Sequence, residues 1–267
     1  MNQLLQSRRS QSTAGIKLLI TLLILLLLTA CAGQSFQPDQ QTSTGTSTET
    51  AAATKRTEVI HMNTVDGIKI SGTVYHPDPA ITKPISILLL HEAFLDSQVW
   101  DQFAEAAQER GYTVLALDLR GHGQSEGENT FTPAMDNDVE EAIHWLRFSF
   151  PKENQISLIG ASVGANLALR AGTRHPRVKP IILLSPGMQL WEIGISDAIR
   201  DYGNRPLLLA AAEDDPYPFS SVNQLYDPAN DNHQVKIYPG TEHGTALLES
   251  HPELTPLLLD WIAQNNP

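Results

Sequence analysis

Ser162 stands between two glycines in Gly160-Ala161-Ser162-Val163-Gly164, directly after the apolar run Ile156-Ser157-Leu158-Ile159. A strand that reverses into a helix within one or two residues brings backbone against backbone, so positions 160 and 164 must lack bulky side chains. Such a turn lifts the serine hydroxyl above the sheet edge. With Val163 starting the helix, its amide and the positive helix end point at any oxyanion formed there. The chemistry served is nucleophilic attack on an acyl carbon. A packing turn of small residues fits the same five residues, so the partners of Ser162 decide between the two readings.

A serine hydroxyl is a poor nucleophile at neutral pH and needs an imidazole to take its proton, and the resulting imidazolium needs a fixed negative partner. Both partners are expected after the serine, acid first and histidine second, each just beyond a later strand. The run Pro206 to Ala212 reads as a buried strand, and Glu213-Asp214-Asp215-Pro216 follows at once. Asp215 abuts the proline turn and is preferred to Asp214, which a one-residue change in the strand exit would put in its place. Glu213 reads as a solvated loop carboxylate. Val235-Lys236-Ile237-Tyr238 alternates as a strand and runs into Pro239-Gly240-Thr241-Glu242-His243-Gly244. His243 is therefore expected in a loop at a strand's exit. Of the other histidines beyond the acid, His233 precedes its strand at the opposite sheet edge, and His251 stands before Pro252 near a helix boundary.

Four segments together resemble the α/β-hydrolase superfamily over residues 58 to 265: Leu88 to Ala93, Asp118-Leu119-Arg120-Gly121-His122-Gly123-Gln124-Ser125, the Ser162 turn, and the Asp215 and His243 loops. The resemblance implies a serine hydrolase with a mostly parallel eight-stranded sheet flanked by helices on both faces. It also implies that a second oxyanion-hole amide, beside that of Val163, comes from Ala93 or, as the less favoured choice, Phe94. Glu92 departs from the pattern, because this position is commonly glycine. Dienelactone-hydrolase-like members carry glutamate in this turn, yet they typically use cysteine as nucleophile, so the likeness does not carry their substrate across. For Glu92 two placements are open: into the pocket, against the resting hydroxyl or an anionic substrate, or out to water. His91 and His122 read as structural, one ending a strand and the other in a Gly-rich turn.

The chain opens differently. Arg8, Arg9 and Lys17 precede a Leu- and Ile-rich run from Leu18 to Leu28, and Leu28-Thr29-Ala30-Cys31 follows. This resembles a bacterial lipoprotein signal over residues 1–30, with Cys31 as the lipidated residue. The run is shorter than the ~20 residues of a spanning helix, although a retained membrane anchor is the alternative. Cys31 is the only cysteine, so no intramolecular disulfide forms and catalysis rests on no thiol. Residues 31–56 are rich in Gln, Ser, Thr and Ala and read as a flexible tether. These features place the chain in the cell envelope, on a membrane through Cys31 and facing away from the cytoplasm, with outer-membrane sorting allowed by Ala32 in a Gram-negative host.

The full chain of 267 residues has a formal net charge of -12, and residues 1–30 hold three basic and no acidic residues, which leaves -15 for the remainder. A surface that acidic argues against nucleic acid and anionic headgroups as partners. Residues 57–267 suit one catalytic domain. Glu58 to Asn63, Asp66-Gly67 and Ile68 to His76 read as a hairpin. Strands at 85–90, 113–117, 156–159, 181–184 and 207–212 then alternate with helices. One helix carries Trp100, Phe103, Ala104 and Ala107, with Ser97 as N-cap and Gly111 past its end. A second carries Val139, Ala142, Ile143 and Leu146 after Thr132-Pro133.

Only about twenty residues separate the strand ending near Leu184 from Pro206, too few for a sizeable cap. Met188, Leu190, Trp191, Ile193 and Ile195 make that segment apolar, open to two readings: a wall of an acyl pocket, or core packing. Tyr217, beside the acid, joins Glu92, Phe94 and Trp191 as a candidate pocket residue. No metal-ligand spacing, phosphate loop or dinucleotide fingerprint occurs, so neither metal nor cofactor is implied. The expected activity is cleavage of small or medium acyl esters. Peptide, thioester or lactone cleavage on the same triad, and a non-catalytic hydrolase-fold envelope protein, are the alternatives.

Overall fold

The computed structural model describes residues 56–152 and 155–266. The signal-like segment, Cys31 and most of the tether lie outside the described residues. Among the described residues no helix is long and apolar enough to cross a membrane.

The expected hairpin forms from β1 (Thr57–Asn63) and β2 (Lys69–Tyr75). Gly67 at φ 83° supplies the left-handed residue of its turn. Four further parallel-sheet strands, β3 (Ile85–Leu90), β4 (Thr113–Asp118), β5 (Gln155–Ala161) and β6 (Val178–Leu184), are wholly or nearly wholly buried. A short hairpin, β7 (Gln189–Leu190) with β8 (Ile193–Gly194), stands apart before β9 (Leu207–Ala212) and β10 (His233–Tyr238). The main sheet has eight strands in the order β1-β2-β4-β3-β5-β6-β9-β10. Pairing is antiparallel from β1 to β4 and parallel from there onward. This is the expected α/β-hydrolase fold.

Continuous apolar strands bury both faces of a sheet, and the two-residue period of β3 and β4 separates two cores. Leu88, Leu90, Leu115 and Leu117 pack with α2 (Asp136–Ser149) and α3 (Val163–Arg174). Ile87, Leu89, Val114 and Ala116 face the other way, toward α1 (Asp101–Glu109) and the C-terminal helix Leu254–Asn265. Ser97 does not cap α1. The helix is preceded by a 3-10 turn over Ser97–Trp100, and the Asp96 carboxylate accepts from Gln98 N at 3.0 Å as its cap, while the Ser97 amide is drawn to Asp118 Oδ1 at 2.8 Å. His233 is the first residue of β10 rather than its predecessor, still at the amino end of the sheet.

The 118–125 segment is scaffold. Arg120 pairs with buried Asp138 and with Asp66, Asp118 Oδ2 accepts from Gln124 N, and Ser125 Oγ donates to the Asp118 carbonyl. His91 joins this scaffold to β3: its Nδ1 donates to Glu92 O at 2.7 Å and its Nε2 accepts from Leu119 N at 3.0 Å. Those bonds hold one neutral tautomer. Burial pushes the imidazole down from 6.5 to about 4.

The unfolded ring protonates near pH 6.5 and the folded ring only near 4, so the unfolded state binds more protons in between. Stability from His91 is complete above pH 6.5 and falls as pH drops toward 4, by on the order of 3 kcal/mol. Urea unfolding at pH 7 and pH 4.5 should therefore give a clear loss of stability in the wild type and a smaller one in His91→Asn. Equal stability at the two pH values would contradict this account.

Candidate active site

Three strand ends carry the candidate residues. Ser162 directly follows β5 and caps α3 with φ 51° and ψ -116°, a conformation that costs on the order of 1–3 kcal/mol for a residue with a side chain. The flanking glycines permit it. A Cβ on Gly160 would lie 2.2 Å from the Gly164 carbonyl oxygen, and one on Gly164 would lie 2.4 Å from Leu90 O and 2.6 Å from His91 O. The first turn of α3 is thus pressed against the end of β3, beside the turn that carries Ala93. Among the described residues, neither the Ala93 nor the Val163 amide donates to a backbone acceptor, and first-turn helix amides have no intrahelical acceptor.

Asp215 lies just past β9, at the N-cap of α5 (Pro216–Leu225), and its Oδ2 accepts from His243 Nδ1 at 2.6 Å. Its neighbour Asp214 is exposed, with its amide tied to Gly240 O at 2.9 Å. His243 follows β10 in a loop and is 44 % exposed, against 17 % for Asp215. A Cβ on Gly244 would sit 3.5 Å from Ala161 Cβ, so the residues next to His243 and Ser162 touch. The Gly244 amide donates to Ser185 Oγ at 2.9 Å, and the Ser162 amide to Leu184 O at 2.8 Å, so both segments hang on the end of β6. The Ser162 hydroxyl caps nothing in its helix, and no hydrogen bond joins it to His243; such contacts commonly tighten only with substrate bound.

Glu92 goes neither into the pocket nor out to water. It is 7 % exposed, and its Oε1 accepts from Thr245 Oγ1 at 2.7 Å and from Thr245 N at 3.2 Å, while Oε2 is buried without a partner. The reason is steric: Gly244 has no side chain, which leaves room for Oε1 at 2.9 Å from where its Cβ would be. Glu92 therefore fixes the loop that presents His243. Removing it strands a buried amide and hydroxyl, so Glu92→Ala should destabilise the fold by about 1–3 kcal/mol. Glu92→Gln, which keeps an acceptor oxygen, should recover most of that stability in thermal unfolding. Equal stability of Glu92→Ala and wild type would refute the clamp.

The 185–206 segment is mostly core packing: Ile193 and Ile195 are fully buried, Met188 and Leu190 pack on the core, and Trp191 alone of the five is exposed. It builds the β7–β8 hairpin and α4 (Ser196–Tyr202) rather than a cap. Tyr217 Oη donates to Gln189 O at 2.7 Å and accepts from Gln189 N at 2.9 Å, binding α5 to that hairpin. Phe94 is exposed and adopts φ 65°.

Two contributors escaped the sequence reading. Asn166, buried in α3, donates through Nδ2 to Gly187 O and Ile193 O, each at 2.8 Å, and anchors both arms of the hairpin. Its signal is an amide within the apolar amino-terminal half of α3. Phe131, from a polar loop, stacks on Trp191 with ring centroids 4.2 Å apart; no local pattern marked it. Among the described residues, no cluster of His, Cys, Asp and Glu is suited to a metal ion.

Residues 83–204 match the family described as serine aminopeptidase, S33. The chain is 34% identical over 103 residues to the AB hydrolase superfamily protein YisY of Bacillus subtilis, covering 37% of each chain. It is 32% identical over 120 residues to a 31.7 kDa protein of Escherichia coli encoded between traX and finO, covering 44% of this chain and 41% of that one. The chain thus spans less than half the length of these curated relatives. Among solved structures, the Pyrococcus furiosus esterase Pf2001 superposes with a TM-score of 0.69 at 19% identity, covering 79% of this chain and 91% of that one. XC6422 of Xanthomonas campestris, described as an α/β serine hydrolase without lid, gives 0.63 at 18% identity, covering 79% and 95%.

Proposed function

We propose that the chain, which has the α/β-hydrolase fold, is a serine hydrolase of that superfamily and cleaves small or medium acyl esters through Ser162, His243 and Asp215. One observation carries the reading: Asp215 and His243 are bonded at 2.6 Å, and the His243 loop lies against the strained Ser162 turn. Ser162 Oγ attacks the acyl carbon as its proton passes to His243 Nε2, and Asp215 holds the Nδ1–H tautomer and the imidazolium charge. The Ala93 and Val163 amides take the oxyanion, each such donor being worth on the order of 3 kcal/mol. His243 returns the proton to the leaving alcohol, and water then releases the acid by the same path.

Likeness to an esterase and to a lidless serine hydrolase supports ester substrates at the level of fold only. The partial match to the serine aminopeptidase family keeps peptide cleavage as the second reading. p-Nitrophenyl butyrate and leucine p-nitroanilide separate the two: we expect turnover of the ester and background rates with the anilide. The opposite pattern would favour the aminopeptidase reading, and inactivity on both would favour a non-catalytic envelope protein.

The same proposal places the domain on a membrane through acylated Cys31, supported by the basic start, the apolar run and Leu28-Thr29-Ala30-Cys31. Cys31→Ser should move the protein from the membrane pellet to the soluble fraction. A variant that still pellets without detergent would place the anchor elsewhere.

A further inference from the structure

We propose that Phe94, Phe131 and Trp191 form a recognition surface for an uncharged aromatic group of the substrate, a specificity that rests on the serine-hydrolase reading above. The three residues come from separate loops, after β3, after β4 and between β7 and β8, and meet as one cluster. Phe131 stacks on Trp191 at 4.2 Å and 29°. Phe94 stands edge-on to Phe131 at 5.2 Å and 86° and to Trp191 at 5.9 Å and 80°. Phe131 is buried beneath, whereas Phe94 is 69 % and Trp191 50 % exposed. Two large ring surfaces therefore face solvent on a fixed base.

Their conformations argue against incidental exposure. Phe94 at φ 65° and Trp191 at φ 47° occupy backbone regions that bulky residues avoid. Such strain persists only where the surroundings hold it and gathers at ligand sites. Here the surroundings are specific: Asn166 grips the hairpin at Gly187 and Ile193, Gln189 Nε2 donates to Trp191 O at 2.7 Å, and Tyr217 holds Gln189 from α5. A ring presented this rigidly loses little freedom on binding.

The cluster adjoins the candidate site along the chain. Phe94 directly follows Ala93, and Tyr217, which holds the other side of the hairpin, lies two residues past Asp215. The hairpin thus links the acid side of the site to its oxyanion side. The exposed rings of Phe94 and Trp191 can pair with a planar π-system in stacked or edge-to-face geometry, which gains more than contact with an alkyl chain of the same area. The adjoining Glu192 carboxylate and the formal charge of -12 disfavour aryl groups that carry their own negative charge.

The test compares phenyl and cyclohexyl partners of similar size and intrinsic reactivity: benzyl acetate against cyclohexylmethyl acetate for the alcohol side, and methyl 3-phenylpropanoate against methyl 3-cyclohexylpropanoate for the acyl side. In wild-type protein, kcat/KM should favour the phenyl member of at least one pair by roughly tenfold. Trp191→Leu and Phe94→Leu keep apolar bulk without the ring and should bring that ratio to within about twofold of unity. Phe148→Leu, an exposed ring on α2 outside the cluster, should leave the ratio as in wild type. Equal rates within both pairs, a cyclohexyl preference, or a phenyl preference that survives both cluster variants would overturn the proposal. The wild-type ratio decides alone if a variant fails to fold. Turnover of all four esters without phenyl preference defeats only the aromatic surface; no turnover, together with no labelling of Ser162 by a fluorophosphonate, defeats the hydrolase reading beneath it.

Discussion

Ser162→Ala is expected to lower kcat for p-nitrophenyl butyrate by about four orders of magnitude or more while leaving the thermal unfolding midpoint close to that of wild type. The large kinetic effect follows from losing the atom that attacks the acyl carbon in the proposed mechanism. The small structural effect follows from how little else that atom does. Its hydroxyl forms no cap bond in α3, and alanine at φ 51° suffers the same backbone strain as serine. A substitution that removes no packing and no hydrogen bond normally shifts stability by less than about 0.5 kcal/mol. Steady-state rates and calorimetry on the same preparation separate the two effects. Undiminished turnover would take Ser162 out of the mechanism, and a large fall in the midpoint would make lost activity uninformative.

Asp215→Asn should cost about 10⁴ in kcat, because the amide holds His243 in a tautomer that offers Ser162 a proton rather than accepting one. The 2.6 Å bond to His243 Nδ1 singles out this carboxylate. Asp214→Asn, one residue away on an exposed loop, should stay within about threefold of wild type, since only its backbone is engaged. A reversal of the two effects would mean that the strand exit rearranges with substrate bound and presents the other acid.

What the sequence disclosed and what it withheld divide along a physical line. The eight-stranded sheet was legible because burial on two faces forces near-continuous apolar runs at β3 to β6 and β9, and a 3.6-residue stripe marks α2. The Gly160 and Gly164 requirement was legible too, since backbone contact at 2.2–2.4 Å from a would-be Cβ excludes any other residue. Glu92 was not, because its partner Thr245 lies 153 positions away and only the absence of a side chain at Gly244 makes room for the carboxylate. Ser97 does not act as the cap because Asp96 competes for the same turn and wins by accepting from Gln98 N. Phe131 was invisible for the reason that it meets Trp191 across two loops whose course no periodicity records.

The same division explains the hairpin over residues 189–194. Apolar content alone left open whether that segment walls a pocket or fills the core, and the structure assigns most of it to the core. Trp191 escapes because a two-residue turn at φ 47° throws it outward while Asn166 holds the arms. Long-range polar anchors of this kind decide which apolar side chains remain available to a ligand.

The central claim is that Ser162 is a nucleophile activated by His243. Its most direct test is to treat the folded protein with a fluorophosphonate and locate the adduct by peptide mass spectrometry, in wild type and in His243→Ala. The account predicts one adduct per chain, on Ser162, formed at least about 10³-fold more slowly without the imidazole. An unlabelled wild type, an adduct on another residue, or equal labelling in both proteins would contradict it.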